Sequence, residues 1–394
     1  MVLSRKLVVT ASLVAALSCG GVTAGLAATQ GTGLLGATVA SAAEAASSAK
    51  DKAASGASEA KANNSVSYQP ASGEETRTVV DGDGNEVVIP AKVDRVASTI
   101  GAFSQVAAMV SGDGGSKTVA DIGRTKQSET FQKVFPKSNP DDYQASNIES
   151  LIAADCQVVV GPGSSFSDEQ KQQLEAANIA YVALGTKTVD DICHTVLTIG
   201  QIEGEDEAAL AQKFVDYYKG AIDSSAEKTK GADKPRVMQL RSSGGQYTTT
   251  NKTDICQAYF DAAGSVNVAA DYTGEANGTA LTVSPEQILE WDPEYIFTMY
   301  TDQTDEIMND PALAEVTAVK EGHVYTVPTG TYQWSVRSAE GALMMPWLDS
   351  ILHPDIFADI DMTAEVKSFY KDFYNYDLSD DEAAAILGGK SSSK

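Results

Sequence analysis

The sequence predicts an α/β protein: two Rossmann-like lobes with central sheets, joined by one long spanning helix, with a ligand cleft between them. Three observations predict it. Short β-branched runs alternate with helical segments from Asp94 to Gly185, the pattern of parallel sheet covered on both faces. One unbroken segment, EDEAALAQKFVDYYKGAIDSSAEKTK (205–230), then sets Leu210, Phe214, Tyr217, Tyr218 and Ile222 along one helical stripe. At 1.5 Å per residue it runs roughly 35–40 Å, the width of a small domain. After Pro235 the alternation restarts. A chain of 394 residues has room for both lobes.

The ends of the chain read differently from its middle. Arg5 and Lys6 precede the apolar run Leu7–Leu17, as in an export signal, so residues 1–36 are read as an export segment. Ala16-Leu17-Ser18-Cys19 approximates a lipidation site in which Cys19 becomes the mature N-terminus. Ala40-Ser41-Ala42 offers a cleavage site instead, and an uncleaved anchor is the third alternative, since no charge falls between Lys6 and Glu44. All three place the body outside the cytoplasm, tethered at the cell surface or in a periplasm. Residues 37–75 are rich in Ala, Ser, Lys and Glu and are read as a flexible tether. The net charge of −25 argues against nucleic acid and anionic membrane surfaces as partners. Cys156, Cys193 and Cys256 each sit in an apolar context and are read as buried free thiols.

Globular patterning begins at Thr76, giving an N-terminal lobe over 76–204, the interlobe helix over 205–231 and a C-terminal lobe over 232–390. RTVVDGDGNEVVIP is a strand–turn–strand. Its Asp/Asn spacing approaches that of a calcium loop, but Glu86 stands where the loop needs Gly and Lys92 where it needs Glu, so calcium is excluded. DRVAST, KTVADIG, CQVVVG and IAYVALG are strands; AFSQVAAMVSG, NIESLIAA and SDEQKQQLEAAN are helices. In the second lobe RVMQLRS, EYIFTMY and HVYTVP are strands, and DICQAYFDAAG, SPEQILEW and DPALAEVTAV are helices. The loop 329–337 follows, with a buried helix from Ala339 to Leu352 behind it.

Two segments echo each other across the lobes, SNIESLIAADCQVVVG and VSPEQILEWDPEYIF. With RTVVDGDGNEVVIPAKVDRVAS and WSVRSAEGALMMPWLDSILHPDIF, they closely resemble the substrate-binding proteins of ABC importers, in the helical-backbone branch that carries ferric siderophores, haem and cobalamin. The resemblance covers about residues 76–388. It departs at Cys156-Gln157, where the family usually has Pro-Asp. It implies a monomeric, non-enzymatic receptor that clasps its ligand between two lobes and hands it to a permease and ATPase.

Arg124, Arg241 and Arg337 each follow the carboxyl end of a predicted strand, where α/β sheets bind ligands. Guanidinium groups in a partly dry cleft recognise multi-oxygen anions through paired hydrogen bonds. The trio therefore predicts an anionic ligand. Tyr332 and Trp334 share a loop with Arg337, where the resemblance implies aromatic ligand contacts; Tyr300, Tyr247 and Phe166 are further strand-end aromatics, and Thr99 to Phe103 is the first-lobe cleft loop. By motif position Glu149 and Glu286 are the carboxylates that the family docks onto permease arginines; both also suit a helix N-terminus. His194, His323 and His353 are scattered, so a bare metal site is not expected, and a metal would arrive already chelated. The expected ligand is an anionic ferric siderophore; cobalamin, haem and an oxyanion such as molybdate are the alternatives. A surface protein without transport, and a hydrolase built on Ser225-Ala226-Glu227-Lys228, are the competing classes. The latter motif lies mid-helix, with no companion motif.

Overall fold

Two β-branched runs flanking a Gly/Asp/Asn turn pair as β1 (Thr76–Val80) and β2 (Glu86–Pro90). The Asp81 carboxylate organises the turn, accepting from the backbone N–H of Asp83 (2.9 Å) and of Asn85 (2.8 Å). The computed structural model describes residues 64–120, 128–138, 147–278 and 280–390. The tether expected over 37–75 does not extend through its described part. Val66 pairs with Tyr181 in both directions (2.8 Å each) and is 9 % exposed, and the Ser65 hydroxyl donates to Asp81 at 2.7 Å. An edge strand offers free backbone groups that an extended segment can satisfy, a demand that composition does not reveal.

The first lobe continues through β3 (Val96–Ser98), α1 (Gly101–Val110), β4 (Thr118–Ala120), α2 (Glu129–Val134), α3 (Ile148–Ala153), β5 (Val158–Gly161), α4 (Asp168–Ala176), β6 (Ala180–Ala183) and α5 (Val189–Glu203). Its four strands are all parallel, in the order β4-β3-β5-β6. Every residue of β5 and β6 is buried, as a sheet covered on both faces requires. Ser167 and Gln170 close a reciprocal cap on α4.

The spanning helix is α6 (Glu205–Lys228). It lies close along α5 because Gly200 has no side chain: a Cβ there would sit 2.6 Å from that of Ala211. The second lobe follows as β7 (Arg236–Ser243), β8 (Gln246–Thr249), α7 (Cys256–Ala262), β9 (Val266–Asn267), β10 (Ala276–Asn277), β11 (Ala280–Val283), α8 (Pro285–Trp291), β12 (Tyr295–Thr298), α9 (Thr301–Asn309), α10 (Thr317–Glu321) and β13 (Val324–Thr326). The chain closes with a tight 3-10 segment (Ala339–Leu343), α11 (Met344–Leu352), α12 (Met362–Tyr374) and α13 (Asp380–Leu387). The predicted helix DPALAEVTAV is broken into a 3-10 turn at Pro311–Leu313 and the short α10.

The second sheet is mixed rather than parallel. β7, β12 and β13 are parallel, but β8, β11 and β10 extend it antiparallel, in the order β10-β11-β8-β7-β12-β13. Gly244 and Gly245, both at positive φ (57° and 77°), turn β7 directly into β8. A Gly-Gly pair between two β-prone runs is a hairpin signal, and it places Tyr247 on a strand rather than on a strand-end loop. One apolar cluster runs from α1 and α5 through Phe214 and Tyr218 of α6 to Leu348 of α11 and Phe373 of α12. The lobes thus share a core along their common edge. Cys156, Cys193 and Cys256 are buried free thiols, as expected.

Candidate functional site

Carboxyl ends of parallel strands face the seam between the lobes, where ligands bind in such sheets. The first lobe presents the turns after β3, β5 and β6. The second presents the ends of β7 and β12 and the long loop after β13.

That loop (328–338) is wired to one buried carboxylate. Glu340 is fully buried and accepts from the Thr331 backbone N–H (2.9 Å) and hydroxyl (2.7 Å), the Trp334 indole N–H (3.0 Å) and the Tyr370 hydroxyl (2.6 Å). Burial pushes its carboxyl up, against the pull of the Tyr370 and Thr331 hydrogen bonds. Gly330 passes so close that a Cβ would lie 2.0 Å from the Tyr370 hydroxyl. From the first lobe, Gln105 of α1 joins the same network. Its amide N–H donates to the Thr331 hydroxyl (2.8 Å) and Tyr374 hydroxyl (3.0 Å), and its amide oxygen accepts from the Ala339 N–H (2.8 Å). Gln333 pins the loop to the end of β12 by donating to the Met299 carbonyl at 2.7 Å. The buried segment expected behind the loop is present, as the 3-10 turn Ala339–Leu343 followed by α11, and the contacts that hold the loop are polar. Gln105, Gln333 and Glu340 carry no motif that marks them in the sequence. A lone acid inside the apolar run Ala339–Trp347 was the available signal, since a buried charge demands partners.

Two of the three arginines meet at this seam. Arg337, half-buried, donates its Nε to the Thr186 carbonyl after β6 (3.0 Å), crossing between the lobes. Arg241 lies within β7, not after it as expected, because the Gly-Gly turn prolongs the strand. Parallel pairing ends at Gln239, so Arg241 still lies past the parallel sheet's edge. Its Nε is buried without a hydrogen-bond partner, and so is the Ser335 hydroxyl two residues before Arg337. Both guanidinium groups act on Cys256, whose thiol donates to the Ser335 carbonyl (3.3 Å); burial nevertheless pushes that thiol well up. An unsatisfied buried guanidinium N–H is costly, and an oxyanion would satisfy it. Arg124 lies outside the described residues, as does Cys19.

The aromatic expectations fare less well. Trp334, Phe103, Phe166 and Tyr247 are at most 4 % exposed and belong to the cores. Trp334 turns inward to reach Glu340. Phe103 lies inside α1, which starts at Gly101 in the expected cleft loop. Phe166 packs edge-on against Tyr181 (4.9 Å), and Tyr247 donates to Asp310. Each ring buries more apolar area in the core than a cleft wall would allow. Tyr300 and Tyr332 remain half-buried on strand-end loops of the second lobe. Glu149 and Glu286 are exposed in the first turns of α3 and α8, beside the capping residues Asn147 and Ser284.

A cavity of about 400 Å³ opens among the first-lobe turns Pro162–Ser164 and Gly185–Lys187, adjoining the Thr186 carbonyl that Arg337 holds. Another, of about 550 Å³, lies between α2 and α13 under Thr329 and Gly330, bordered by the Lys133–Glu382 ion pair. Neither cavity is lined by Arg241 or Arg337, and the first sets the carboxylates of Asp83 and Asp191 beside Lys187. Ser225, of the S-x-x-K motif, is buried and donates to Asp349 (2.6 Å), so it cannot serve as a nucleophile. His194, His323 and His353 are far apart in use: His194 meets the Asp81 carbonyl, His323 stacks on Tyr295, and His353 meets the Ala263 carbonyl. Among the described residues no helix is long and apolar enough to cross a membrane.

Known proteins share this architecture. The chain is 28 % identical over 275 residues to the molybdate-binding protein MolA of Haemophilus influenzae, covering 62 % of this chain and 74 % of that one. A periplasmic solute-binding protein of Veillonella parvula superposes with a TM-score of 0.69 at 25 % identity, over 79 % of this chain and 97 % of that one. Molybdate-bound MolA superposes at 0.64 (20 % identity; 77 % and 99 %), and Helicobacter pylori CeuE with Ni(II) bound at 0.61 (22 % identity; 79 % and 99 %). The family model for periplasmic binding proteins matches residues 96–330, more than half of the chain. With two α/β lobes on one spanning helix, the chain belongs to the periplasmic binding protein family, as a helical-backbone substrate-binding protein of the ABC-importer class.

Proposed function

We propose that this protein captures a compact multi-oxygen anion of the molybdate type outside the cytoplasm and delivers it to an ABC permease and its ATPase. The observation that carries this reading is the pairing of Arg241, with a buried N–H lacking a partner, and Arg337 at the interlobe seam, with the Ser335 hydroxyl unpaired beside them. The likeness to MolA supports it. So does the burial of four of the aromatic rings expected in the cleft, which removes surface that a flat conjugated ligand would use. Arg124 is the third candidate anion contact. The N-terminal segment would tether the receptor to the membrane, through Cys19 or through the uncleaved apolar run.

An anionic ferric siderophore is the second reading. It is favoured by Tyr300 and Tyr332, which stay half-exposed on strand-end loops and could flank a larger chelate. Isothermal titration of the chain from Asn64 onward with molybdate, tungstate, sulfate and ferric siderophores decides between them. Sub-micromolar molybdate or tungstate binding, weakened by roughly 1–3 kcal/mol in Arg241→Ala, Arg337→Ala and Arg124→Ala, is the expected result. Binding of a ferric siderophore alone would select the second reading. Oxyanion binding indifferent to all three arginines would overturn the site.

A further inference from the structure

The carbonyls that end α5 are held by cations rather than by a continuing helix. Gly204 (φ 155°) separates α5 from the spanning helix α6. A helix leaves its last carbonyls without partners of its own. Here Arg77 of β1 donates to the Gln201 and Ile202 carbonyls (2.5 Å each), and Lys117, just before β4, donates to the Glu203 carbonyl (2.6 Å). Lys117 also pairs with Glu207 in the first turn of α6. One ammonium thus joins the two sides of the break and ties both to the edge of the first sheet.

Inside this junction lies a carboxyl that none of the cations reaches. Glu203 is 3 % exposed, and neither of its carboxyl oxygens has a hydrogen-bond partner. Buried polar groups without partners are rare and need an explanation. An ionised one costs far more than a neutral one. The charged groups that face Glu203 are Lys117, Glu207 of α6 and Asp113 from the loop after α1. Helix α1 packs on both α5 and α6 and carries no ionisable side chain. Burial pushes the Glu203 carboxyl well up; Lys117 opposes that, and the two acids reinforce it. Local folding does not require an acid here, because Arg77 and Lys117 bind backbone carbonyls that any residue would supply.

We propose that Glu203 is a proton-operated latch between the first lobe and the spanning helix. Neutral, it lies inside the junction and the two helices stay clamped. Ionised, it has to turn out to water, and the break at Gly204 loosens. The sign follows from the burial: the folded carboxyl holds its proton more tightly than the unfolded one. The stability it lends is complete below the unfolded carboxyl range and is lost as pH rises through the raised folded value. Because α6 runs between the lobes, a loosened junction frees the first lobe to shift against the second, and the Arg337–Thr186 contact slackens with it. The latch is independent of which ligand the seam takes.

Amide hydrogen exchange of the full chain, followed by mass spectrometry between about pH 5 and about pH 9 and corrected for intrinsic rates, tests this. In the unaltered chain, protection over 200–210 falls about tenfold across that range, and protection over 184–188 and 328–338 falls with it. Glu203→Gln, neutral throughout, holds all three segments within about twofold. A fall in Glu203→Gln equal to that of the unaltered chain overturns the latch. A fall confined to 200–210 overturns its coupling to the seam. Infrared difference spectroscopy at about pH 6, where an exposed glutamate is ionised, reads the group itself. A protonated-carboxyl band present in the unaltered chain and missing from Glu203→Gln is expected, and the lack of any such difference overturns the proposal. Should the glutamine variant fail to fold, Glu203→Leu replaces it in both measurements, with the same outcomes.

Discussion

The two lobes meet the seam by different means. The first lobe brings mainly backbone, with Gln105 as its side-chain contribution. Gly161 lies so near Thr99 that a Cβ would fall 2.0 Å from its hydroxyl, and a Cβ on Gly185 would fall 2.7 Å from the Asp191 carboxyl carbon. The second brings side chains: Arg241, Arg337, and a loop held by Glu340. Close backbone packing fixes turns at little cost, because few side chains have to be ordered. Holding Glu340 dry requires every partner to be present. Binding specificity and fragility are therefore expected to concentrate in the second lobe, and the first to act as its rigid counter-surface.

The largest effect should come from Glu340→Ala, which strands the Trp334 indole N–H, the Thr331 N–H and the Tyr370 hydroxyl in the core. A loss of about 3–5 kcal/mol in urea unfolding is expected, with ligand binding lost as the loop disorders. A loss below about 1 kcal/mol would mean that water or repacking replaces the carboxylate, and would remove the contrast between the lobes. Gly330→Ala attacks the same point sterically and should also lower the unfolding midpoint, because its Cβ collides with Tyr370 and Glu340.

Next come the arginines. Arg241→Ala and Arg337→Ala should each weaken anion binding about 5- to 150-fold while changing unfolding little. Because Arg337 also bonds the Thr186 carbonyl, its loss should loosen the lobes, visible as faster hydrogen exchange around Gly185–Lys187. Similar exchange in both variants would show that Arg337 serves the ligand alone. Gln105→Ala is gentler, costing about 1–2 kcal/mol for its lost buried hydrogen bonds. It should relax the loop 328–338 without altering the first-lobe turns, in hydrogen exchange followed by mass spectrometry.

The smallest effect is a pH dependence. Asp349, buried behind α6, has its carboxyl pushed up to about 6 by burial, against the Ser225 hydrogen bond. Its folded value exceeds the unfolded one, so the native state holds the extra proton. The associated stability is present below about pH 4 and is lost as pH rises through about 6. Asp349→Asn should flatten the melting temperature between about pH 4 and 7 and raise it slightly at pH 7.5. An unchanged slope would assign the dependence to another group.

Much of this architecture was legible in the sequence. The 3.6-residue stripe of α6 and the alternation of apolar strands and helices are local patterns, and local patterns survive in any window of the chain. The echo of α3 and α8 was equally plain, because each unit of cap, acid, apolar helix and left-handed aspartate is contiguous. The second sheet departs from expectation over a short range: Gly244-Gly245 closes a hairpin where a strand-end loop is expected, and this puts Arg241 inside a strand.

The site was legible only as residue types. The arginines stood out by type and by their place after predicted strands, yet which of them lacks a partner depends on what packs around β7. Trp334, Phe103, Phe166 and Tyr247 looked like cleft residues because they stand near strand ends, and an aromatic ring at such a position can turn either way. Tertiary structure turned all four inward, where the apolar area buried is greatest. The loop's rigidity was hidden for a further reason. Gln105 lies 226 residues from Thr331 and 269 from Tyr374 in the chain. By itself the sequence determined the spanning helix and the parallel strands of both lobes, since those depend on neighbours. Only the folded chain decided which polar groups meet in the dark between the lobes, since a hydrogen bond there depends on three-dimensional position and not on spacing.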